Sequence, residues 1–310
     1  MLIAGAVAVS LVAAGTADAA TTAGPAKAAQ SHGSPHRDRQ GSDYEYYLAL
    51  GDSLAYGVQV NAQGTEYGSG KGYTDDLAAY LKGHGDRGLK FVNLSCPGET
   101  TTTMLDGGCP WLAEIGDPYT TQIAAATSFL AAHRHARILV TLDIGANNVD
   151  GCLAGGSIDT ACVTDGVTAA ATDLPQILAK LAAAAGPRVT FVGMNYYDPF
   201  LAEWLTGAQG QTLAEESVGL STTFNNVLQQ AYAAHNVKVA DVAGAFRTAD
   251  FTDATKLGGA TVPVNVADIC NWTYMCAPPP VGPNIHATTT GYSVMARTFE
   301  ALLPARHHHW

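Results

Sequence analysis

The sequence is poor in charged residues, and positive charge is the scarcer sign. Only 14% of its 310 residues are charged, and 16 Lys and Arg stand against 27 Asp and Glu, which gives a net charge of -11. A chain with so few cations is poorly suited to neutralise phosphates, which argues against nucleic-acid binding and against tight binding to an anionic membrane surface. Hydrophobic residues make up 47% of the chain, enough to build a large buried core.

The sequence also lacks an apolar run of membrane-spanning length near its start. The apolar stretch there runs from Leu2 to Ala14, whereas a spanning helix needs about 20 residues. Ala17-Asp18-Ala19 follows and fits the rule for signal-peptide cleavage, although the usual positive charges before the stretch are missing. We expect residues 1–19 to be a signal peptide whose true start lies further upstream. The mature protein is then secreted and has no stable membrane anchor.

The remaining chain divides into a linker, one domain and a tail. Residues 20–43 are rich in Ala, Thr, Gly, Ser, His and Arg without hydrophobic periodicity, which is typical of a flexible linker. No internal repeat or second low-complexity break follows, so we expect one folded domain over residues 44–305. Residues 306–310 form a short tail.

Cysteines are few, and none of them forms a C-x-x-C pair. The six cysteines fall into three sequence-local pairs, the first two of which bracket a loop containing Gly or Pro: Cys96 and Cys109, Cys152 and Cys162, Cys270 and Cys276. Six cysteines allow 15 pairings, and we expect the nearest-neighbour set because of these loops. Disulfides also suit an exported protein. A zinc site is the alternative, but no spaced Cys and His set supports it, so no metal is expected.

Strand-like and helix-like segments alternate along the domain. Apolar runs predict strands over residues 46–50, 89–94, 138–144, 189–194 and 237–242, and helical spacing predicts helices over residues 120–132, 168–185, 213–234 and 288–303. This alternation is typical of a parallel sheet in a three-layer α/β/α sandwich. Residues 243–283 show no clear element and suggest a disulfide-linked loop beside the site.

Three of the predicted strands end in polar residues. The first leads to Gly51-Asp52-Ser53-Leu54, the second to Gly98, and the third to Gly145-Ala146-Asn147. The carboxyl ends of parallel strands share one edge of a sheet, where open α/β sheets bind their ligands. The Gly98 N–H and the Asn147 amide would then lie near Ser53, which is the donor arrangement that an acyl-transfer oxyanion needs.

A base for Ser53 is available near the end of the domain. His286 lies in a loop that leads directly into the last predicted helix, whereas the other nine histidines lie in the linker, at helix ends or in the tail. A serine becomes a nucleophile when a histidine can take its proton. A helix-entry histidine bonded only to backbone is the alternative interpretation of His286.

These four blocks, in this order, resemble the SGNH or GDSL-type family of serine esterases and lipases. The resemblance covers essentially the whole domain, and the last block ends in His286-x4-Gly291-Tyr292. It implies a mostly parallel, flavodoxin-like sheet and no cofactor. It also implies that Ser53 is the nucleophile, that His286 is the general base and then acid, and that Ser53 N–H, Gly98 N–H and Asn147 form the oxyanion hole. The three local cysteine pairs resemble the secreted actinobacterial branch of that family.

The sequence departs from the family pattern at two positions. Asn148 stands where the third block usually has aspartate, and Pro283 stands where the family has its catalytic aspartate, three residues before the histidine. An acid at that place orients the imidazole and stabilises its charged form. We expect a backbone carbonyl near Pro283 to accept the His286 Nδ1–H in a Ser–His dyad, since Asn284 carries no charge. The alternative is an acid from the long loop, such as Asp268.

The sequence therefore predicts a secreted, monomeric carboxylic-ester hydrolase that acts on small-molecule or lipid esters through an acyl-enzyme. A conventional α/β-hydrolase is disfavoured because the chain has no G-x-S-x-G motif. The same site could serve a carbohydrate O-acetyl esterase, a phospholipase or a thioesterase. A different class is an inactive module of the same fold that binds glycan or lipid.

Overall fold

The computed structural model describes residues 44–111, 120–154 and 156–304. The predicted signal peptide (1–19), the linker (20–43) and the tail (306–310) lie outside these residues. None of the helices formed by the described residues has the length and apolar character needed to cross a membrane.

The described chain folds into eleven strands and nine α-helices. The strands are β1 (Tyr46–Gly51), β2 (Val58–Val60), β3 (Glu66–Gly68), β4 (Lys90–Asn93), β5 (Ile138–Asp143), β6 (Leu153–Ala154), β7 (Ser157–Ile158), β8 (Val189–Met194), β9 (Lys238–Ala240), β10 (Ala254–Leu257) and β11 (Ala260–Pro263). The helices are α1 (Ser53–Tyr56), α2 (Tyr73–Gly83), α3 (Thr101–Asp106), α4 (Gln122–Ala132), α5 (Thr160–Ala184), α6 (Ala208–Ala234), α7 (Val242–Ala245), α8 (Val264–Trp272) and α9 (Thr289–Glu300). Short 3₁₀ segments occupy Ala146–Asn148, Asp150–Cys152 and Pro199–Thr206.

Five strands form the central sheet in the order β4-β1-β5-β8-β9, and all four pairings are parallel. Helices α4, α5 and α6 pack together in one layer, and α2 packs against α9 in the other. This strand order is the flavodoxin-like one, with its switch point beside the first strand. The α/β/α fold predicted from the sequence is confirmed.

Burial on both faces explains why the central strands are apolar throughout. Tyr47, Leu48, Ala49 and Leu50 of β1 are fully buried, although successive side chains point to opposite faces of the sheet. A strand covered by helices on both sides needs such a continuous apolar run. The chain can turn polar only where β1 ends, and this places the first polar residues at the edge of the sheet.

Two helices begin earlier than the apolar spacing predicts. Helix α5 begins at Thr160 rather than at residue 168, because the Asp159 carboxylate accepts hydrogen bonds from the N–H groups of Ala161 and Cys162 at 3.0 Å. Helix α6 begins at Ala208 rather than at residue 213. In both cases the first turns show no helical apolar stripe, so periodicity does not mark the start. A side-chain cap marks it for α5, whereas Gly207 before α6 makes no side-chain hydrogen bond.

The expectation that residues 243–283 lack clear elements is wrong. The segment contains α7, an antiparallel hairpin of β10 and β11, and helix α8. Gly258 and Gly259 form the hairpin turn with φ of 54° and 89°, and a Gly-Gly pair between short strands is a recognised hairpin signal. The strands have only four residues each, and half of these residues are exposed, so no apolar run reveals them.

Candidate active site

The turn after β1 brings Ser53 to the carboxyl edge of the sheet. Gly51 has φ +134°, and a Cβ at this position would overlap the carbonyl oxygen of Asp143 on the neighbouring strand, so only glycine fits. The Asp52 carboxylate caps α1 by accepting from Leu54 N–H at 2.9 Å. Ser53 is the first residue of that helix and retains 7% exposure.

The side-chain amide of Gln122, at the start of α4, holds the backbone of this turn through hydrogen bonds. Its Oε1 accepts from Gly51 N–H at 2.6 Å, while its Nε2 donates to Gly51 O at 2.9 Å and to Glu99 Oε2 at 3.0 Å. The amide thus satisfies the backbone of the turn on both sides and links it to the segment after β4. Nothing in the sequence pattern of α4 singles out this residue.

A pair of buried carboxyl groups lies beneath Ser53. Asp52 accepts from the Tyr196 hydroxyl at 2.9 Å, and Asp143 accepts from the Tyr73 hydroxyl at 3.0 Å and from Ala55 N–H at 2.9 Å. Burial raises the pKa of both carboxyls, and the charge of Asp52 raises the pKa of Asp143 further. The pKa of Asp143 is therefore raised more strongly than that of Asp52.

The structure brings the Asn147 amide and the Gly98 turn together. Asn147 Nδ2 donates to the carbonyl oxygen of Glu99 at 2.9 Å, which fixes the amide against the segment after β4. Its amide carries a second proton for a ligand, and Asn147 lines the same cavity as Ser53. Gly98 has φ +80° and packs against Pro110, and it stands one residue before Glu99 in the same turn.

His286 is held in the loop before α9. Its carbonyl oxygen accepts from Tyr274 N–H at 3.0 Å, and the carbonyl oxygen of Ile285 accepts from the Tyr197 hydroxyl at 2.7 Å. The imidazole is only 8% exposed. These contacts fix the backbone on both sides of the ring, so the imidazole has a defined orientation.

The contacts of His286 differ from those expected from the sequence. Its Nδ1 lies 2.8 Å from the side-chain oxygen of Asn284, not at a backbone carbonyl near Pro283. Asp268 lies on α8 and is occupied by Arg247, whose guanidinium donates to its two carboxylate oxygens at 2.9 and 3.2 Å. A bidentate pair of this kind uses the oxygens that an imidazole would need. Glu66, which the sequence does not single out, lies 3.3 Å from Nδ1.

One cavity contains Ser53, Asn147 and His286. It encloses about 840 Å³ of empty space, open solvent at its mouth included. Most of the other lining side chains are apolar or aromatic: Leu54, Ala146, Val149, Leu153, Ile158, Val163, Tyr196, Tyr197, Pro199, Phe200, Leu220, Phe224 and Ile285. The cavity therefore joins a polar end at Ser53 to an apolar body.

Two aspartates interrupt the apolar wall of this cavity. Asp198 accepts from the Ser217 hydroxyl at 2.7 Å and from Phe200 N–H at 2.9 Å, and burial raises its pKa to about 6. Removal from water, together with the charges of Asp52 and Asp198, raises the pKa of Asp150 to about 8. At neutral pH Asp150 is thus mostly protonated, whereas Asp198 is mostly ionised.

Asp150 makes stability depend on pH in a defined direction. Its pKa is about 8 in the folded protein against 3.8 for the free group, so the folded state binds more protons between these values. Stability from this group is greatest below pH 4 and is lost as pH rises to 8, by at most about 1.4 kcal/mol per pH unit. We expect Asp150→Asn to reduce the fall in melting temperature between pH 5 and pH 8.

The matched control is Asp106→Asn, at an exposed position on α3. Thermal unfolding of this variant should show the same pH dependence as the wild type. If Asp150→Asn also leaves the pH dependence unchanged, the raised pKa of Asp150 is wrong.

The cysteines are joined in three sequence-local disulfides, Cys96–Cys109, Cys152–Cys162 and Cys270–Cys276. The first lies beside the Gly98 turn, and the third joins Cys270 on α8 to Cys276 in the segment that leads to His286. The second brackets the β6–β7 hairpin, which contributes Leu153 and Ile158 to the cavity wall. Each bridge therefore ties a loop close to the cavity. Cys96 and Cys109 lie close to Glu99, but disulfide sulfurs offer no thiolate to a metal.

Comparison with solved structures finds the same fold in several enzymes, among them two from Streptomyces. An extracellular lipase from Streptomyces rimosus superposes with a TM-score of 0.51 at 20% identity, covering 83% of this chain and 99% of that one. Phospholipase A1 from Streptomyces albidoflavus NA297 gives 0.50 at 19% identity, covering 83% and 98%. Identities this low show a shared fold. A search of the curated proteins finds no significant match.

The sequence itself identifies the family. The family model for the GDSL-like lipase/acylhydrolase family matches residues 49–294, a range that contains Ser53, Gly98, Asn147 and His286. The resemblance stated from the four sequence blocks is therefore confirmed. The chain belongs to the GDSL-like lipase/acylhydrolase family and is a serine ester hydrolase.

Proposed function

We propose that the protein is a secreted carboxylic-ester hydrolase that cleaves esters of apolar acyl chains, with Ser53 as nucleophile and His286 as general base. The observation that carries this proposal is the single cavity that both side chains line, polar at the serine and apolar beyond it. The ester group would lie at Ser53, and the acyl chain would extend along Leu220 and Phe224. Small-molecule and lipid esters both fit this description.

The proposed reaction needs only groups of this chain and water. His286 Nδ1 is engaged by Asn284, so Nε2 is the nitrogen left to take the Ser53 proton. The serine oxygen then attacks the ester carbonyl, and the oxyanion accepts from Ser53 N–H, Gly98 N–H and the Asn147 amide. The imidazolium returns the proton to the leaving alcohol. Water, deprotonated by His286, then releases the acid and restores the serine.

Secretion is part of the same proposal. Three disulfides are characteristic of an oxidising compartment. With them, the apolar stretch that precedes Ala17-Asp18-Ala19 supports a signal peptide over residues 1–19 and a linker over residues 20–43. The mature enzyme would then consist of this linker, one hydrolase domain over residues 44–305 and a short tail.

An active-site-directed alkyl phosphonate tests the nucleophile. We expect the folded protein to take up one phosphonyl group and lose activity, because the reagent traps the attacking serine as a stable tetrahedral adduct. The matched control is Ser293→Ala, which removes a hydroxyl that donates to Asp76 on α2 and should label fully. If the wild type takes up no label, or if Ser53→Ala still does, the proposed mechanism fails.

A series of p-nitrophenyl esters from acetate to decanoate tests the substrate class. Each CH₂ buried in the apolar cavity adds about 0.8 kcal/mol of binding, which is up to about fourfold in kcat/KM. We therefore expect kcat/KM to rise over the first several carbons. If acetate is the best substrate and acetylated sugars are turned over faster than any p-nitrophenyl ester, the site is that of a carbohydrate O-acetyl esterase.

A further inference from the structure

The imidazole Nδ1 of His286 faces acceptors from two distant parts of the chain. Asn284 Oδ1 lies 2.8 Å from Nδ1, and Glu66 Oε1 lies 3.3 Å from it. Glu66 Oε1 also accepts a hydrogen bond from Asn284 Nδ2 at 2.7 Å. The three side chains thus form one network, and its negative charge belongs to Glu66.

The hairpin of β2 and β3 places Glu66 at this position. Glu66 is the first residue of β3, and the partner strand β2 is tied to the last helix. Val58 O accepts from the Tyr292 hydroxyl at 2.6 Å, and Gln59 Nε2 donates to Thr289 Oγ1 at 3.0 Å. Thr289 and Tyr292 lie on α9, the helix that follows His286. The same helix therefore holds both the hairpin and the loop that carries His286.

The tip of this hairpin also touches the loop that leads to His286. Gly64 has φ +79°, and a Cβ there would overlap the carbonyl oxygen of Pro280. The contact is backbone against backbone, so it leaves little room for the hairpin to shift. Glu66, two residues further on, is thereby fixed beside Asn284.

We propose that Glu66 is the positioning residue that supplies the negative charge to His286, in place of the acid that Pro283 has replaced. The proposal rests on the proposed function, in which His286 is the general base. Once Nε2 takes the Ser53 proton, the imidazole ring is positively charged. Nδ1 keeps its own proton, and no proton is transferred to Glu66. Asn284 orients Nδ1–H but is neutral. The Glu66 carboxylate balances the charge directly and through the amide that it polarises.

Glu66 is ionised whenever the enzyme works. The hydrogen bond with His286 lowers the pKa of Glu66 most, partial burial opposes this, and the bond from Asn284 lowers it again, to about 2. The carboxylate is 38% exposed, so part of its charge is screened by water. We therefore expect a smaller effect than that of a fully buried catalytic acid.

The first test is Glu66→Gln, which keeps the shape of the side chain and removes its charge. We expect kcat on p-nitrophenyl butyrate to fall about 10- to 100-fold, the range for a lost charge-assisted hydrogen bond, with little change in KM. The acidic limb of the kcat/KM profile should move to lower pH, because the protonated ring loses its counter-charge. Glu66→Asp should fall between the wild type and Glu66→Gln. Tyr67→Phe, at the next and more exposed position of β3, is the control and should match the wild type.

The second test exchanges the acid and the amide. In the double variant Glu66→Gln with Asn284→Asp, a carboxylate stands at the position 2.8 Å from Nδ1 and a glutamine amide can donate to it. We expect most of the lost kcat to return. A purely structural role of Glu66 would not be repaired in this way, so a double variant as slow as Glu66→Gln alone overturns the proposal.

The proposed role of Glu66 can be disproved without disproving the proposed function. If Glu66→Gln has the kcat and the pH profile of the wild type while His286→Ala is inactive, the base stands and the assignment of Glu66 is wrong. If His286→Ala keeps full activity, the proposed function itself is wrong. Circular dichroism and the melting temperature of each variant show whether it is folded.

Discussion

Replacing His286 with alanine is expected to lower kcat about 10⁵- to 10⁶-fold, the range for removing the base of a serine hydrolase. The imidazole is buried next to the nucleophile turn and lines the Ser53 cavity. Without it, the Ser53 hydroxyl keeps its proton at neutral pH and is a weak nucleophile. The residual rate should come from substrate binding and from the oxyanion donors, which the substitution leaves in place.

Single-turnover kinetics with p-nitrophenyl butyrate give the size of this loss. His135→Ala is a suitable control, because that histidine is exposed in the turn between α4 and β5, far along the chain from the nucleophile turn. It should retain wild-type kcat and KM. A loss below about tenfold in His286→Ala would mean that another group takes the serine proton.

Replacing Asn147 with alanine is expected to lower kcat about 10²- to 10³-fold, with a small change in KM. Asn147 Nδ2 is fixed by Glu99 O at 2.9 Å and faces the cavity of Ser53. A donor held in place before the reaction stabilises the charge that develops in the transition state more than it stabilises the uncharged ester. The substitution should therefore act on kcat and not on binding.

The neighbouring asparagine provides a matched control. Asn148 accepts from Thr101 N–H at 3.0 Å and donates to Thr101 Oγ1 at 2.9 Å, so it supports the start of α3. Asn148→Ala should lower the melting temperature while leaving kcat close to the wild-type value. Equal losses of kcat in the two variants would contradict an oxyanion role for Asn147.

The sequence predicts those parts of the fold that are continuous in the chain. The strand predicted over residues 189–194 matches β8, because its apolar run is bounded by turn residues and buried in the sheet. Four-residue strands such as β10 leave no such pattern, since edge positions tolerate polar side chains. The candidate residues that follow central strands, Ser53 and Asn147, are visible in the sequence for the same reason that the strands are.

The side chains that contact His286 Nδ1 could not be predicted from the sequence in this way. Glu66 is separated from Asn284 by 218 residues, and nothing in its local sequence distinguishes it from a surface glutamate of a short strand. Its position depends on how the β2–β3 hairpin packs against the last helix. Asp268, by contrast, is nearer to His286 in sequence, but its carboxylate forms an ion pair with Arg247 instead. Sequence distance is therefore a poor guide to which acid an imidazole meets.

The hydrogen bonds between β2 and α9 also make the proposed site depend on the last part of the chain to be synthesised. Tyr292 and Thr289 reach the hairpin only after the final part of the chain has left the ribosome, and His286 arrives with them. A chain truncated before His286 would have neither the proposed base nor the support for Glu66, so the proposed site is complete only when the last part of the chain is present.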